Sequence, residues 1–248
     1  MQTLGDWLAA EPFGLALSSG FFGFFAHTGV VLGLERAGLR PSWLRGSSAG
    51  ALVGGLWAAG LDGPALRDEL LNLRRADFWD PAPGPGLLRG DRFGRRLEAL
   101  LPVTHFAACR VPLAVSVFDL LAGQTRTLER GPLTPAIRAS CTFPGLFQPT
   151  WVAGRPHLDG GIRDRPGILG ARSGERLLHH HLASRSPWRR ADSPALAPPR
   201  RPGLVALVLS DLPRSGPFEL EAGRRALLHV EQVMPRVLDR PLAQVMRG

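Results

Sequence analysis

From Phe13 to Leu34 the sequence carries no formally charged side chain. A run of that length can cross a bilayer, so the chain must either place it in lipid or bury it in protein. Its residues favour burial in protein. Ser18, Ser19, Gly20, Gly23 and His27 stand where a spanning helix would carry Leu, and Asp6 and Glu11 precede the run where a signal peptide would be positive. Phe13 to Leu17 then reads as a short buried strand, Ser18 to Gly23 as a small-residue turn, and Phe24 to Ala37 as a core helix stopped by Gly38. The pattern repeats at once: Pro41 to Arg45 is extended, Gly46 to Gly50 is a turn, and Ala49 to Gly60 is an Ala/Gly/Leu-rich helix. Tandem strand–turn–helix units predict an α/β layered fold with a largely parallel sheet, which gathers its ligands at the carboxyl ends of the strands.

The rest of the chain continues the alternation. Gly63 to Arg75 reads as a helix, Ala82 to Gly90 as a Pro/Gly loop, and Asp91 as the N-cap of a helix ending near Leu101. Val111 to Phe118 is a buried strand, Gln124 to Leu128 another beyond a turn at Gly123, and Pro135 to Cys141 a short helix. Leu204 to Ser210 is a further strand, and Glu219 to Val233 a helix with Leu220, Ala226, Leu227, Val230 and Val233 near one face. Ser184 to Pro202, dense in Pro and Ser, is expected to be a mobile surface loop, and residues 1–248 are expected to form a single domain.

All 30 basic residues are Arg, against 21 acidic ones, a net charge of +9 that does not titrate away. Such a charge calls for an acidic partner, nucleic acid or an anionic lipid surface. Around the Arg-rich stretch that ends at Arg201 the only interleaved aromatic is Trp188, with no reading helix or stacking platform, so no nucleic acid is expected. An anionic membrane surface remains, with Phe21, Phe22 and Trp188 as candidate apolar contacts and Phe24 and Phe25 read as core. Cys109 and Cys141 are too few for a disulfide framework. Absent Tyr and all-Arg usage suggest a GC-rich genome, and the expected location is a bacterial cytoplasm, without signal peptide or transmembrane helix.

Gly46-Ser47-Ser48-Ala49-Gly50 is a G-x-S-x-G at a strand-to-helix turn, the setting of a nucleophile elbow. It equally fits a plain turn in which Ser47 or Ser48 caps the helix. The small-residue turn Ser18 to Gly23 lies at the same predicted sheet edge, where its backbone amides can form an oxyanion hole. The seven histidines are scattered, except for the run His179-His180-His181, in which only the outer two can share a face. No third metal ligand stands near them, and no metal or cofactor is expected. In Asp159-Gly160-Gly161 a carboxylate at a strand end is followed by two glycines that permit close approach, so Asp159 can serve as a base for Ser48 if burial raises its basicity. Taken alone, Asp-Gly is also an ordinary turn.

Together these blocks resemble the patatin-like phospholipases. The likeness is carried by the loop from Leu17 to Gly29, the Gly46 to Gly50 elbow, Ala136-Ile-Arg-Ala-Ser-Cys-Thr-Phe-Pro-Gly-Leu-Phe147 and Asp159-Gly160-Gly161, and it spans about Phe13 to Pro166. It implies a three-layer α/β fold, a mostly parallel central sheet flanked by helices. It also implies a lipid acyl hydrolase with a Ser-Asp dyad: Ser48 the nucleophile, Asp159 the base, the amides of Gly20 and Phe21 the oxyanion hole, and Gly46, Gly50, Gly160 and Gly161 in support. Arg138 and Pro144 have positional roles in that scheme. The chain departs from the family in placing Phe22 where a basic residue is usual, and Asp164 after the Gly-Gly pair is a decoy for Asp159. The alternative is a lipid-binding protein on the same fold with little or no turnover.

Overall fold

The structure, a computed structural model, describes residues 1–183 and 193–248. A short capped helix, α1 (Leu4–Ala10), precedes the uncharged run, which forms β1 (Gly14–Leu17) and α2 (Phe24–Arg36). β2 (Trp43–Ser47) and α3 (Ala49–Ala59) repeat the unit, and α4 (Gly63–Asn72) follows. Then come β3 (Gly86–Leu88), α5 (Asp91–Leu100), the hairpin β4 (Leu113–Asp119) and β5 (Gln124–Leu128), and α6 (Leu133–Ser140). β6 (Gly145–Phe147), β7 (Thr150–Val152), β8 (Arg155–Asp159), β9 (Leu177–His181), β10 (Leu204–Val208), α7 (Leu220–Leu238) and β11 (Val245–Arg247) complete the chain. Among the described residues no helix is long and apolar enough to cross a membrane.

The main sheet runs β11-β10-β9-β1-β2-β4-β8-β7, with β5 also on β4. From β11 to β4 every pairing is parallel, as the tandem units require, whereas β8, β7 and β5 join antiparallel. Period-2 alternation sorts the strands: Leu15, Leu17, Leu178, Val205 and Leu207 enter the large core, while Ala16, Leu177, Leu204 and Ala206 build a smaller one with Ile168 and Ala171. In the large core α2 and α7 lie close together because Gly29 and Gly33 present no side chain to Val230 and Met234.

One feature of the register places the site. β5 occupies one edge of β4 from Val115 to Asp119, so β2, on Leu113 to Ser116, and β8, on Val117 to Asp119, must share the other. Running in opposite directions on that shared edge, β2 and β8 meet end to end. Ser47 lies opposite Ser116 and Asp159 opposite Val117.

Several sequence expectations are corrected. Gly90, not Asp91, is the N-cap of α5, and the capping carboxylate is Asp80, which accepts from the amides of Gly90 (2.9 Å) and Arg92 (3.0 Å). The 82–90 loop contains β3, which pairs with β6 through backbone that composition does not reveal. α4 stops at Asn72, and α7 continues through Pro235 to Leu238 because Met234, Val237 and Leu238 are buried. The His run, read from the sequence as an extended segment, is packed inside the protein as the inner strand β9. The sheet tolerates it because each imidazole finds a partner: His179 Nε2 donates to the Pro166 carbonyl (3.0 Å), His181 Nε2 to Leu196 (2.9 Å), and His180 packs against His27. Residues 184–192 of the expected mobile loop, Trp188 among them, lie outside the described residues; its remainder contains the 3-10 turn Pro194–Leu196.

Candidate active site

β2 ends at Ser47 and α3 begins at Ala49, which leaves Ser48 alone to reverse the chain with φ 53° and ψ −119°. That region is costly for a residue with a Cβ, and such strain recurs at functional turns. Ser48 makes no capping bond with its side chain, so the plain-cap alternative does not describe it. Its Oγ instead donates to Asp159 Oδ2 at 2.6 Å. The other carboxylate oxygen accepts from the Gly161 amide (2.7 Å), and the Asp159 amide donates to the Thr142 carbonyl (2.9 Å), so the carboxylate is fixed from both sides.

Asp159 is 3% exposed. Burial pushes its pKa up to about 6, against the opposing pull of the hydrogen bonds from Ser48 and Gly161. A carboxylate at that value is ionised at neutral pH yet basic enough to accept a proton.

The motif glycines mark places where chain touches chain. A Cβ on Gly50 would overlap the Leu17 carbonyl, and one on Gly160 the Ser116 carbonyl. On Gly161 it would overlap the Ser19 hydroxyl, and on Gly46 it would stand 2.5 Å from the Gly50 carbonyl oxygen. The elbow is thus packed on the backbone at the end of β1, and the Asp-Gly-Gly turn on the backbone of β4 and the Ser19 side chain. Among the described residues, no acceptor is assigned to the amides of Gly20 and Phe21, and both residues line the same cavity as Ser48 and Asp159. Phe22 has φ 54° and packs its ring against Phe78.

Two supporting residues escaped the sequence reading. The Ser48 amide donates to Ser140 Oγ at 2.8 Å, and that hydroxyl donates onward to the Ser116 carbonyl at 2.7 Å. The neighbouring Cys141 thiol, held protonated by burial and then by the charge of Asp159, lies 3.3 Å from the Ser48 carbonyl. Only the composition of the segment hinted at either, since both act on backbone far away in sequence. Arg138 donates to the Arg89 carbonyl and Asp91, away from Ser48, and Pro144 lines the cavity. Asp164 is occupied by the Ser116 hydroxyl and the amides of Ile168 and Leu169.

The cavity beyond Ser48 measures about 800 Å³. Three helices line it with one face each: Ala49, Leu52, Val53 and Leu56 from α3, Leu66, Glu69 and Leu70 from α4 with Leu73 just past its end, and Phe93, Arg96, Leu97 and Leu100 from α5. Each set follows the i, i+3, i+4, i+7 spacing that normally packs against protein. Glu69 and Arg96, paired at 2.6 Å through Nε, interrupt an otherwise apolar wall.

The patatin-like phospholipase family pattern matches residues 15–172. An uncharacterised NTE family protein of Mycobacterium tuberculosis is 38% identical over 153 residues, which are 60% of this chain and 42% of that protein. Lysophospholipase NTE1 of Scheffersomyces stipitis is 28% identical over 164 residues, 63% of this chain and 11% of that protein. The chain therefore spans less than half the length of these relatives. The crystal structure of VipD from Legionella pneumophila superposes with a TM-score of 0.66 at 15% identity, over 92% of this chain and 67% of that one, a likeness of fold. By the extent of the family match, this chain belongs to the patatin-like phospholipase family.

Proposed function

We propose that the chain is a lipid acyl hydrolase, of phospholipase A, lysophospholipase or carboxylesterase type, with Ser48 as nucleophile and Asp159 as its general base. The observation that carries this reading is the 2.6 Å contact from Ser48 Oγ to Asp159 Oδ2 beside an apolar cavity of about 800 Å³. As Ser48 Oγ attacks an ester carbonyl, Asp159 takes its proton, and the amides of Gly20 and Phe21 receive the developing oxyanion. The proton then passes from Asp159 to the leaving alcohol, and a water activated by Asp159 releases the acid from the acyl-enzyme. No histidine is needed, because the elevated basicity of the buried carboxylate supplies the proton acceptor. The acyl chain lies between the α3, α4 and α5 faces, and the positive charge of the chain favours anionic lipid surfaces.

The test is a series of fluorogenic esters from acetate to palmitate, with a lysophospholipid alongside. kcat/KM rises by up to about fourfold per added methylene while the chain enters the cavity, then levels off. Indifference to chain length, or absence of turnover throughout, would overturn the assignment.

A further inference from the structure

The connection from β10 to α7, residues 209–219, has no regular structure, yet it is fastened to the loop after β1. Ser215 Oγ donates to the Phe22 carbonyl at 2.9 Å, and Gly216 lies beside the Phe21 ring, whose Cε1 would be at van der Waals distance, 3.8 Å, from a Cβ there. Phe218, at the end of this connection, is 67% exposed and stands edge-on to Trp79, 5.3 Å between centroids. The Arg75 guanidinium lies over both rings, 4.9 Å from Phe218 and 5.8 Å from Trp79. On the other side Phe21, 47% exposed, meets Phe143 at 5.4 Å and Phe22 at 4.9 Å, and Phe22 reaches Phe78, the chain neighbour of Trp79, at 5.7 Å. Phe21, Phe22, Phe78 and Phe143 all line the cavity that holds Ser48. These rings make an aromatic belt in two parts: Phe143, Phe21, Phe22 and Phe78 line the cavity in contact with one another, and Trp79, next to Phe78 in the chain, forms an exposed end outside the cavity with Phe218 and the Arg75 guanidinium.

We propose that this belt, from Phe143 and Phe21 to Phe218, Trp79 and Arg75, is the face by which the protein docks on an anionic lipid surface, with Phe218 and Phe21 as the inserting side chains. The proposal rests on the lipid-hydrolase reading and specifies where that enzyme meets its substrate. A half-exposed Phe at a cavity mouth can bury its ring at the boundary of headgroups and acyl chains, as the apolar side of a peripheral membrane contact does. Arg75 has no carboxylate within salt-bridge distance among the described residues, so its charge is available to lipid phosphates. The net charge of +9 draws the same surface. Docked this way, an ester lifted from the bilayer passes Phe21 and Phe22 directly to Ser48 without crossing water.

The experiment is co-sedimentation of the full chain, in a Ser48→Ala background, with vesicles of phosphatidylcholine containing about one-third phosphatidylglycerol. The expectation is that Phe218→Ser weakens partitioning roughly tenfold, and Arg75→Gln about fivefold at low salt but little at high salt. Trp151→Ser removes an equally exposed aromatic, 65% accessible on β7 outside the belt, and leaves partitioning unchanged. In a Ser48-intact chain, Phe218→Ser lowers hydrolysis of vesicle lipid while hydrolysis of a soluble short-chain ester stays at the parent rate. Equal losses in Phe218→Ser and Trp151→Ser would overturn the proposal, as would a concentration-dependent dimer abolished by Phe218→Ser, which would assign the belt to a second copy of the chain. Vesicle binding without hydrolysis of any ester would keep the docking face and remove the hydrolase. Hydrolysis of soluble esters without vesicle binding would do the reverse.

Discussion

The Ser48 amide is already spent on Ser140: it donates to Ser140 Oγ at 2.8 Å, and that hydroxyl donates in turn to the Ser116 carbonyl at 2.7 Å. The hydroxyl thereby ties the elbow to β4, the strand on whose edge β2 and β8 meet. The Ser140 hydroxyl is fully buried, so its loss takes the partner from the part-buried Ser48 amide, at a backbone held at φ 53°, and one donor from the Ser116 carbonyl. Ser140→Ala is expected to reduce kcat roughly 10- to 100-fold with little change in KM and to cost about 1–3 kcal/mol of stability. Ser140→Cys, which retains a weak donor and acceptor, recovers part of the rate. Steady-state kinetics of the two variants check this, and an unchanged kcat in Ser140→Ala would contradict it.

Asp159→Asn is expected to be more stable than the parent while losing turnover. The raised pKa, about 6 against 3.8, means that the folded protein holds the proton more tightly than the unfolded chain. Between these values stability falls as pH rises, and the whole deficit is present at pH 7, on the order of 1–3 kcal/mol. An amide carries no such deficit. Thermal unfolding at neutral pH should show a higher Tm for Asp159→Asn, and in the parent kcat/KM should rise with pH through about 6.

The tandem βα units and the Gly-containing turns were legible because burial and close approach leave compositional marks: an uncharged run from Phe13, and glycines at 46 and 50. The Asp-Gly-Gly at a strand end made Asp159 a candidate base, and the family resemblance gave it that role. Position in sequence alone did not, because its meeting with Ser48 depends on two strands sharing one edge of β4. β9 was hidden for a different reason. His179, His180 and His181 look polar, and only the carbonyls of Pro166 and Leu196 and the ring of His27 make them fit for an inner strand. Ser140 was invisible because an elbow 92 residues away uses it through backbone alone.

Strain at Ser48 yields a comparison between two inactive variants. Ser48→Ala removes the hydroxyl but keeps a Cβ at φ 53°, whereas Ser48→Gly removes both. Ser48→Gly is expected to be the more stable by about 1 kcal/mol despite the entropy of glycine. Differential scanning calorimetry of the pair measures it, and equal Tm values would show that the elbow stores no strain.

Acid should destabilise the protein through its histidines. Burial lowers His27 and His181 to about 4 and His179 to about 3, and it holds His180 well below the usual range. The unfolded chain takes up these protons near pH 6.5 and the folded chain does not, so stability is complete above that pH and is lost as pH falls towards about 4. Asp159 contributes with the opposite sign between 6 and 3.8, but it is one group against four. Urea unfolding at pH 7.5 and pH 5, approximate set points for either side of the imidazole range, should give the lower stability at pH 5. His181→Gln, which keeps a donor for the Leu196 carbonyl, should narrow the gap.

Whether Ser48 and Asp159 act as one catalytic pair is decided by active-site labelling with a fluorophosphonate, read alongside hydrolysis of a medium-chain ester. The parent is expected to be labelled at Ser48 and to turn over, Ser48→Ala to do neither, and folded Asp159→Asn to lose turnover by about 10²- to 10⁴-fold and to be labelled far more slowly. Labelling and turnover that persist at parent rates in Asp159→Asn would contradict it.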